Sequence, residues 1–339
     1  MRPGALLFAA AAHGILQITP LDPAMCLGNC DWHFADEVIE FTPTVLSMGP
    51  TILSPAEIHL GTSAFTAAGW EGSCYPEGLK PAQYLPYCAQ HFDTIEIDSK
   101  FYRTPNSSVV RNWYAKTPSG FIFVAKVPQE IAHRKVPNNC DAEWKQFLHA
   151  MDLLGEKLGP LLFQFGYFGK SSFATVHDFL AILVRFLDKL PKGYKFAVEI
   201  RNKHRLVERL ATVLRDRQIA LALTDQSWMP RRAEWFEDFD PITADFTYIR
   251  WLGDREGIEQ QTKTWNKLIV DRRPELPEWA KVCYQTMRRG VSVFAYANNH
   301  FAGHAPATVA QFLELWPGKD RPELPKRPPP PSSGVLFPL

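Results

Sequence analysis

The chain has 339 residues, of which 46% are hydrophobic, and a formal net charge of +1. A chain of this length and composition buries a large core, which excludes a largely disordered protein and accommodates one α/β barrel of about 250 residues. The near-neutral charge argues against a dedicated nucleic-acid-binding protein, which is usually strongly basic. Because the sequence has no run of about 18 apolar residues, we expect no membrane span.

Cysteine usage and the first residues of the chain both favour a cytoplasmic protein. The cysteines lack the paired spacing of a disulfide framework, so we expect reduced thiols. Cys26 and Cys30 have no second pair or histidine at ligand spacing, and a structural zinc is not expected there. Segment 5–18 is apolar like a secretory signal, but no small-residue cleavage site follows it. The six cysteines are Cys26, Cys30, Cys74, Cys88, Cys140 and Cys283.

The hydrophobic pattern divides the chain into three parts. Residues 1–55 show no sustained period and are interpreted as a flexible, irregular extension. An alternative is a start codon placed too early, since Met48 lies just before the patterned region. Residues 56–317 form the patterned domain, and the proline-rich tail 318–339 is expected to lack packed structure.

Within the patterned domain, strand-like segments alternate with helical patterns. In the second segment, Ile95 and Ile97 alternate with Thr94, Glu96 and Asp98, which is typical of a strand with one polar face. The strand-like segments are residues 58–63, 94–98, 121–127, 161–165, 194–201, 219–224, 246–251 and 291–297. The main helical patterns cover residues 81–92, 107–114, 141–154, 171–187 (starting at Ser171 or Ser172), 206–214, 277–289 and 307–316.

Eight alternating units predict a single-domain, TIM-like (β/α)8 barrel of parallel strands. An open dinucleotide-binding sheet is disfavoured, because no Gly-x-Gly-x-x-Gly loop follows the first strand.

Charged and amide residues stand at the carboxyl ends of the predicted strands, which meet at one mouth of a barrel. So many polar groups inside are costly unless they are paired or bind a ligand. Glu96 and Glu199 are the candidate catalytic acid and base, and Lys126, Arg201 and Arg250 are candidates for holding an anion. The other candidate substrate-binding residues are Trp70, Tyr75, Asp98, Tyr102, His133, Gln164, Asp225, Tyr296, Asn298, Asn299 and His304.

Two other interpretations of these residues stay open. Glu199 and Arg201 fit one end of a buried ion-pair network that only closes the barrel. Glu96, Glu199 and Asp225 with a loop histidine fit an oxygen-rich divalent-ion site. We expect neither a metal nor a cofactor, because the neighbouring cations compete for the carboxylates and no histidine stands at a strand end.

An ordered series of motifs resembles one known family over residues 57–316. The motifs are residues 58–63 with Trp70 and Tyr75-Pro76, 92–97 with Phe101-Tyr102-Arg103, 123–128 with His133, 162–165, 197–201, Asn298-Asn299 and 303–306. They are similar to the YecE-like family, "domain of unknown function 72". The resemblance implies a TIM-barrel-like fold and no particular reaction.

This chain departs from the family pattern at two places. Many relatives carry Asn where Asp98 stands, and many have His-Gly after the seventh strand, where this chain has Arg250-Trp251-Leu252-Gly253. A catalytic histidine at that position is therefore not carried over.

Three classes of function follow from the candidate residues. The leading hypothesis is a cytoplasmic enzyme that uses acid–base chemistry on a small anionic or polyhydroxylated substrate. The second is a non-catalytic ligand-binding or sensor protein with the same pocket. The third is a metal-dependent nucleic-acid endonuclease-like barrel, which the near-neutral charge disfavours.

Overall fold

The computed structural model describes residues 56–98, 104–129, 131, 141–168, 173, 175–317 and 321–324. The chain divides into two units, Met1–Thr51 and Ile52–Leu339, and every described residue belongs to the second. The predicted extension over residues 1–55 and most of the predicted tail over 318–339 lie outside the described residues.

Eight parallel strands form one sheet that curves into a nearly closed barrel, which confirms the predicted fold class. They are β1 (Ile58–Thr62), β2 (Thr94–Ile97), β3 (Ile122–Lys126), β4 (Leu158–Phe165), β5 (Phe196–Ile200), β6 (Ala220–Gln226), β7 (Phe246–Gly253) and β8 (Ser292–Ala297). Neighbouring strands pair in the order β1-β8-β7-β6-β5-β4-β3-β2. All of these pairs are parallel, as the alternation of strands and helices predicts.

The first and second strands approach each other at Gly61. A side chain at this position would bring its Cβ to 2.4 Å from the backbone oxygen of Thr94. Glycine therefore allows β1 to lie against β2, where the sheet order begins and ends.

Helices cover the outside of the barrel and connect most of the strands. The α-helices are α1 (Tyr84–His91), α2 (Ser107–Ala115), α3 (Asp141–Met151), α4 (Val176–Leu187), α5 (Glu208–Arg215), α6 (Arg255–Gln261), α7 (Leu276–Arg288), α8 (Asn299–Ala302) and α9 (Ala305–Glu314). Short 3-10 helices cover Pro81–Gln83, Asp152–Lys157, Lys203–Arg205 and Ala233–Phe236.

One predicted helix start is wrong. Helix α4 begins at Val176 rather than at Ser171 or Ser172, because Thr175 and Asp178 form a capping box. The Thr175 side chain accepts a hydrogen bond from the Asp178 backbone, and the Asp178 carboxylate accepts one from the Thr175 backbone (3.0 Å).

Alternation along the strands separates two packed regions. Outward residues such as Ile95, Val198 and Ile249 belong to the large apolar cluster that includes the helices. Inward residues form a second cluster inside the barrel: Val124, Leu162, Ala197, Ala220, Ala222, Phe246, Tyr248, Phe294 and Tyr296. The next inward positions towards the carboxyl ends are polar, and they form the candidate site.

Among the described helices, none is both long and apolar enough to cross a membrane.

Candidate functional site

Strand alternation brings acidic and basic side chains together at the carboxyl end of the barrel. Glu96 alternates with the outward Ile95 and Ile97 on β2, and Glu199 follows the inward Ala197 on β5. On β7, Arg250 lies two residues beyond the inward Tyr248. Because the strand period is two, these side chains point into the same interior space.

Arg250 is the centre of a buried ion-pair network. Its Nη1 donates to Glu199 Oε2 at 2.7 Å, and its Nη2 donates to Glu96 Oε1 at 2.7 Å and Asp98 Oδ2 at 3.0 Å. The Arg250 side chain is 1% exposed, and those of Glu96 and Glu199 are 0% exposed. Buried charges require such partners, since an unpaired charge at this depth is very costly.

Two further cations complete the network. Lys126 Nζ donates to Asp98 Oδ1 at 3.0 Å, and Arg201 Nε donates to Glu199 Oε1 at 2.7 Å. The network therefore joins three cations, Lys126, Arg201 and Arg250, to three carboxylates, Glu96, Asp98 and Glu199. Glu199 and Arg201 are thus one end of a buried ion-pair network, which extends through Arg250 across the barrel interior to Glu96.

The carboxylates of the network differ in pKa. Burial raises the pKa of Glu96, and the negative charge of Asp98 raises it further. Arg250 lowers this pKa but does not outweigh the two. Burial also acts on Glu199, but Arg250 and Arg201 outweigh it and lower the pKa of that carboxyl. For Asp98, burial is likewise outweighed by Arg250 and Lys126, and its pKa is lowered. Asp98 and Glu199 are consequently the firmly ionised members.

Tyrosine hydroxyls lie next to this network inside the barrel. Tyr248 Oη donates to Glu96 Oε2 at 2.6 Å. Burial, followed by the Glu96 charge, raises the pKa of Tyr248 well above its usual value, so the phenol stays protonated as a donor. Tyr296 Oη lies 2.7 Å from Thr94 Oγ1, and the Thr94 hydroxyl donates to the Ile122 backbone oxygen. Tyr296 is thus a hydrogen-bonded interior residue.

A cavity of about 850 Å³ lies above the network at the carboxyl ends of the strands. Its volume is within the range of small-molecule sites. The predicted site residues that line it are Trp70, Asp98, Lys126, Gln164, Arg201, Arg250, Asn298 and Asn299.

The other predicted site residues lie elsewhere. Glu96, Glu199 and Tyr296 are buried and do not belong to the described lining of the cavity. Tyr75 Oη donates to the Phe65 backbone oxygen at 2.6 Å, and His304 caps helix α9. Tyr102 and His133 lie outside the described residues.

The position of Asp225 near the end of the sixth strand predicts a place for its side chain at the mouth of the barrel. Asp225 alternates with the inward residues of β6, however, and accepts a hydrogen bond from Trp279 Nε1 of helix α7 at 2.6 Å. The structure therefore places its carboxylate outside the cavity lining.

Glu259, Trp265 and His300 also line the cavity, and sequence analysis missed these three residues. His300 Nδ1 lies 2.6 Å from Asn298 Oδ1, and His300 Nε2 lies 2.9 Å from Glu259 Oε1. Asn298 Nδ2 donates to Ser63 Oγ at 2.8 Å, so its Oδ1 faces His300 as an acceptor. Both ring nitrogens of His300 therefore lie within hydrogen-bond distance of a side-chain oxygen. Trp265 lies edge-on to His300, with ring centroids 4.7 Å apart.

A metal site does not emerge from the described residues. They contain no group of three or more His, Cys, Asp and Glu side chains arranged to hold an ion. Glu96 and Glu199 are held by Arg250 instead, and Asp225 lies outside the cavity lining.

Comparisons with known proteins agree on a family and a fold. The sequence model of the family "Protein of unknown function DUF72" matches residues 59–332. The UPF0759 protein YecE of Escherichia coli (strain K12) is 31% identical over 115 residues, which are 34% of this chain and 40% of YecE. The matched segment thus spans two fifths of that relative.

Two crystal structures of DUF72 family proteins are also similar. The one from Thermotoga maritima MSB8 has a TM-score of 0.59 at 24% identity, covering 76% of this chain and 98% of the other. The one from Enterococcus faecalis V583 has a TM-score of 0.56 at 20% identity, covering 77% and 97%. At these identities the likeness supports the barrel fold alone.

Proposed function

The chain belongs to the family of proteins of unknown function DUF72, and on that premise we propose that it is an enzyme acting on a small, anionic, hydroxyl-bearing molecule in the cavity at the carboxyl end of the barrel. Barrel enzymes of this type hold their substrates at that end. The fold itself assigns no reaction, so the proposal depends on the side chains of the cavity.

The observation that carries the proposal is the position of Arg201. Glu199 fixes Arg201 through Nε, and the side chain is 24% exposed in the lining of the cavity. Its two terminal nitrogens make no hydrogen bond to any residue that the structure describes. A guanidinium held by one edge presents its other edge for a bidentate contact with a carboxylate or phosphate.

The charge of the lining supports an anionic ligand. Five cations and two carboxylates belong to its described residues, and with Glu96 and Glu199 buried directly behind them the excess is one positive charge. The cations are Lys126, Arg201, Arg250, Arg255 and Lys263, and the carboxylates are Asp98 and Glu259. The amides of Gln164, Gln226, Asn298 and Asn299 both donate and accept, which suits hydroxyl groups.

Acid–base chemistry in this cavity is assigned to Asp98 rather than to Glu96 and Glu199. Of the three network carboxylates, Asp98 belongs to the lining, and its side chain is 25% exposed. Its lowered pKa keeps it ionised, so its carboxylate can accept a proton, although Arg250 and Lys126 make it a weaker base than an ordinary aspartate. Glu96 and Glu199 then hold Arg250 in place as positioning residues.

The anion site is tested by thermal unfolding with phosphate or sulfate against chloride at fixed ionic strength. Phosphate at ten times its Kd stabilises the folded state by about 1.4 kcal/mol, which raises the melting temperature by about 3–5 °C. Arg201→Met removes the free guanidinium edge, and we expect most of this increment to disappear.

Arg217→Met is the matched control. Arg217 also contacts a carboxylate through Nε, at 2.8 Å from Asp188 Oδ1, and its side chain is 26% exposed outside the cavity lining. This variant should keep the wild-type increment. Phosphate and sulfate also stabilise proteins non-specifically, so equal increments in the two variants would refute the anion site at Arg201.

A binding protein without turnover is the second candidate function. It is favoured because Glu96 and Glu199 are held behind the cavity lining by hydrogen bonds from Arg201, Tyr248 and Arg250, where they do not reach a bound molecule. Turnover of a bound compound by the wild type, and its loss in Asp98→Asn with binding retained, would support the enzyme. Unchanged turnover in Asp98→Asn would contradict the role given to Asp98.

A cytoplasmic location is part of the same proposal. The three described cysteines, Cys74, Cys88 and Cys283, are free, which suits a reducing compartment.

A further inference from the structure

Three buried polar atoms on the wall formed by β6 and β7 have no hydrogen-bond partner among the described residues. They are Thr224 Oγ1, Gln226 Oε1 and Arg250 Nε. Thr224 is 0% exposed, Arg250 1% and Gln226 9%. Native proteins rarely leave such atoms unpaired, so this wall is a place where something else supplies hydrogen bonds.

The three residues are neighbours on the sheet. Thr224 of β6 is the register partner of Arg250 of β7. Gln226 follows Thr224 at the next inward position; Gln226 and Arg250 belong to the described lining of the cavity, whereas the fully buried Thr224 does not. Beside them the register shifts, so that Gln226 pairs with Gly253 and β7 has one extra residue at this level. Such bulges often accompany functional sites.

The chemistry of these atoms selects a hydroxyl group. Arg250 Nε can only donate, Gln226 Oε1 can only accept, and the Thr224 hydroxyl does either. A hydroxyl both accepts from Arg250 and donates to Gln226 or Thr224. A carbonyl cannot donate, an ammonium cannot accept, and a methyl group leaves all three atoms unpaired.

We propose that Thr224, Gln226 and Arg250 Nε form a hydroxyl-binding subsite, which makes Thr224 and Gln226 specificity-determining residues. The inference rests on the proposed anion site and names the class of its ligand. With the anion held at Arg201 and a hydroxyl at this wall, the ligand is a phosphorylated or carboxylated polyol. A hydroxyl fits either orientation of the Gln226 amide, since both of its ends pair with an O–H group.

The test compares phosphate esters with and without hydroxyl groups on the full chain. Kd values are measured by isothermal titration calorimetry for inorganic phosphate, propyl phosphate, glycerol 3-phosphate and ribose 5-phosphate. In the wild type, at least one hydroxylated ester should bind about tenfold or more tightly than propyl phosphate, since one hydrogen bond to a charged or buried group supports such a ratio.

Thr224→Val combined with Gln226→Met replaces the subsite by apolar groups of similar size. We expect the tenfold preference to fall to within about twofold, through weaker binding of the hydroxylated esters. The Kd of inorganic phosphate should stay within about twofold of wild type. Single Thr224→Val and Gln226→Met chains, each with a partial loss of preference, provide the same test if the double variant does not fold.

Thr247→Val is the matched control. Thr247 Oγ1 is also buried and unpartnered, but Thr247 alternates with the inward Tyr248 and Arg250 and therefore lies on the opposite face of β7 from the proposed subsite. This variant should keep the wild-type preference. A preference that survives in the double variant, or that disappears equally in Thr247→Val, overturns the subsite.

Two other outcomes are distinguishable. If phosphate and all esters bind with equal affinity to the wild type, the anion site stands, and these polar atoms are satisfied by water alone, which overturns the inference. If neither phosphate nor any ester binds, the anion site of the proposed function is refuted, and the subsite is refuted with it.

Discussion

The two halves of the barrel interior are equally buried but are held together by different forces. Towards the amino ends of the strands, Ala197, Ala220 and Phe246 form part of an apolar cluster. Towards the carboxyl ends, Glu199 and Arg250 occupy corresponding inward positions at 0% and 1% exposure. The apolar half is stabilised by burial that is roughly proportional to area. The charged half depends on each partner being present.

The comparison explains why the charged half is a candidate site. Well-packed apolar residues often replace a buried ion-pair network with no loss of stability, or with a gain. A network of three cations and three carboxylates is therefore weak evidence for a role in stability alone. Its lining members, Asp98, Lys126, Arg201 and Arg250, lie at the cavity, where a ligand can use them.

Arg250→Met gives the largest expected effect. The substitution leaves Glu96 and Glu199 buried without their common cation. We expect a loss of about 3–5 kcal/mol in the free energy of unfolding, measured by chemical denaturation. Arg217 forms an ion pair with the half-exposed Asp188, so Arg217→Met should lower the free energy of unfolding by no more than about 1 kcal/mol. Equal losses in the two variants would show that the buried network has no special dependence on its centre.

Glu199→Gln and Glu96→Gln test the two sides of the network. Glu199 contacts both Arg201 and Arg250, and these charges lower its pKa, so loss of its charge should cost about 2–3 kcal/mol. Glu96 has a raised pKa, and a neutral amide there no longer repels Asp98. We therefore expect Glu96→Gln to lower the free energy of unfolding by only about 1 kcal/mol, measured by chemical denaturation. The reverse order would contradict the assigned charge states.

The fold was predictable because its pattern is local. Eight segments with strand alternation, separated by helical spacing, are sufficient for a (β/α)8 barrel, and the observed strands differ from the predicted ones by a few residues at their ends. The start of helix α4 was mistaken because two serines preceded the true cap, Thr175.

The site was predictable only in part. Position at a strand end identified Glu96, Glu199 and Arg250 but also selected Asp225. Because Ala222 points into the barrel and the strand period is two, Thr224 also points inward and Asp225 points outward. The same parity indicates Gln226 and Tyr248, and counting strand ends alone overlooked both. Distances across the barrel are not encoded in any local pattern. The pairing that places Glu96 and Glu199 behind Arg250 therefore required the structure.

The smallest expected effect concerns the pH dependence that Asp98 contributes. Its pKa is lowered in the folded chain, so the unfolded chain binds more protons as the solution is acidified. Its contribution is complete above its unfolded pKa of about 3.9 and is lost as pH falls through the folded value. The contribution of Glu199 to stability depends on pH in the same direction, because its pKa is also lowered. The raised pKa of Glu96 gives the opposite dependence: its contribution is present at low pH and is lost as pH rises through its folded pKa.

Asp98→Asn should therefore flatten the acid side of the stability curve. We expect the wild type to lose up to about 1.4 kcal/mol per pH unit for each extra proton taken up on unfolding, and the variant to lose less as pH falls below about 4. Denaturation at a series of pH values measures this slope. Asp245→Asn is the control, because that carboxylate is 69% exposed in an ion pair with Lys195 and should leave the slope unchanged. If Asp98→Asn retained the full wild-type slope, Asp98 would not be a firmly ionised part of the network, and the proton-accepting role proposed for it would lose its basis.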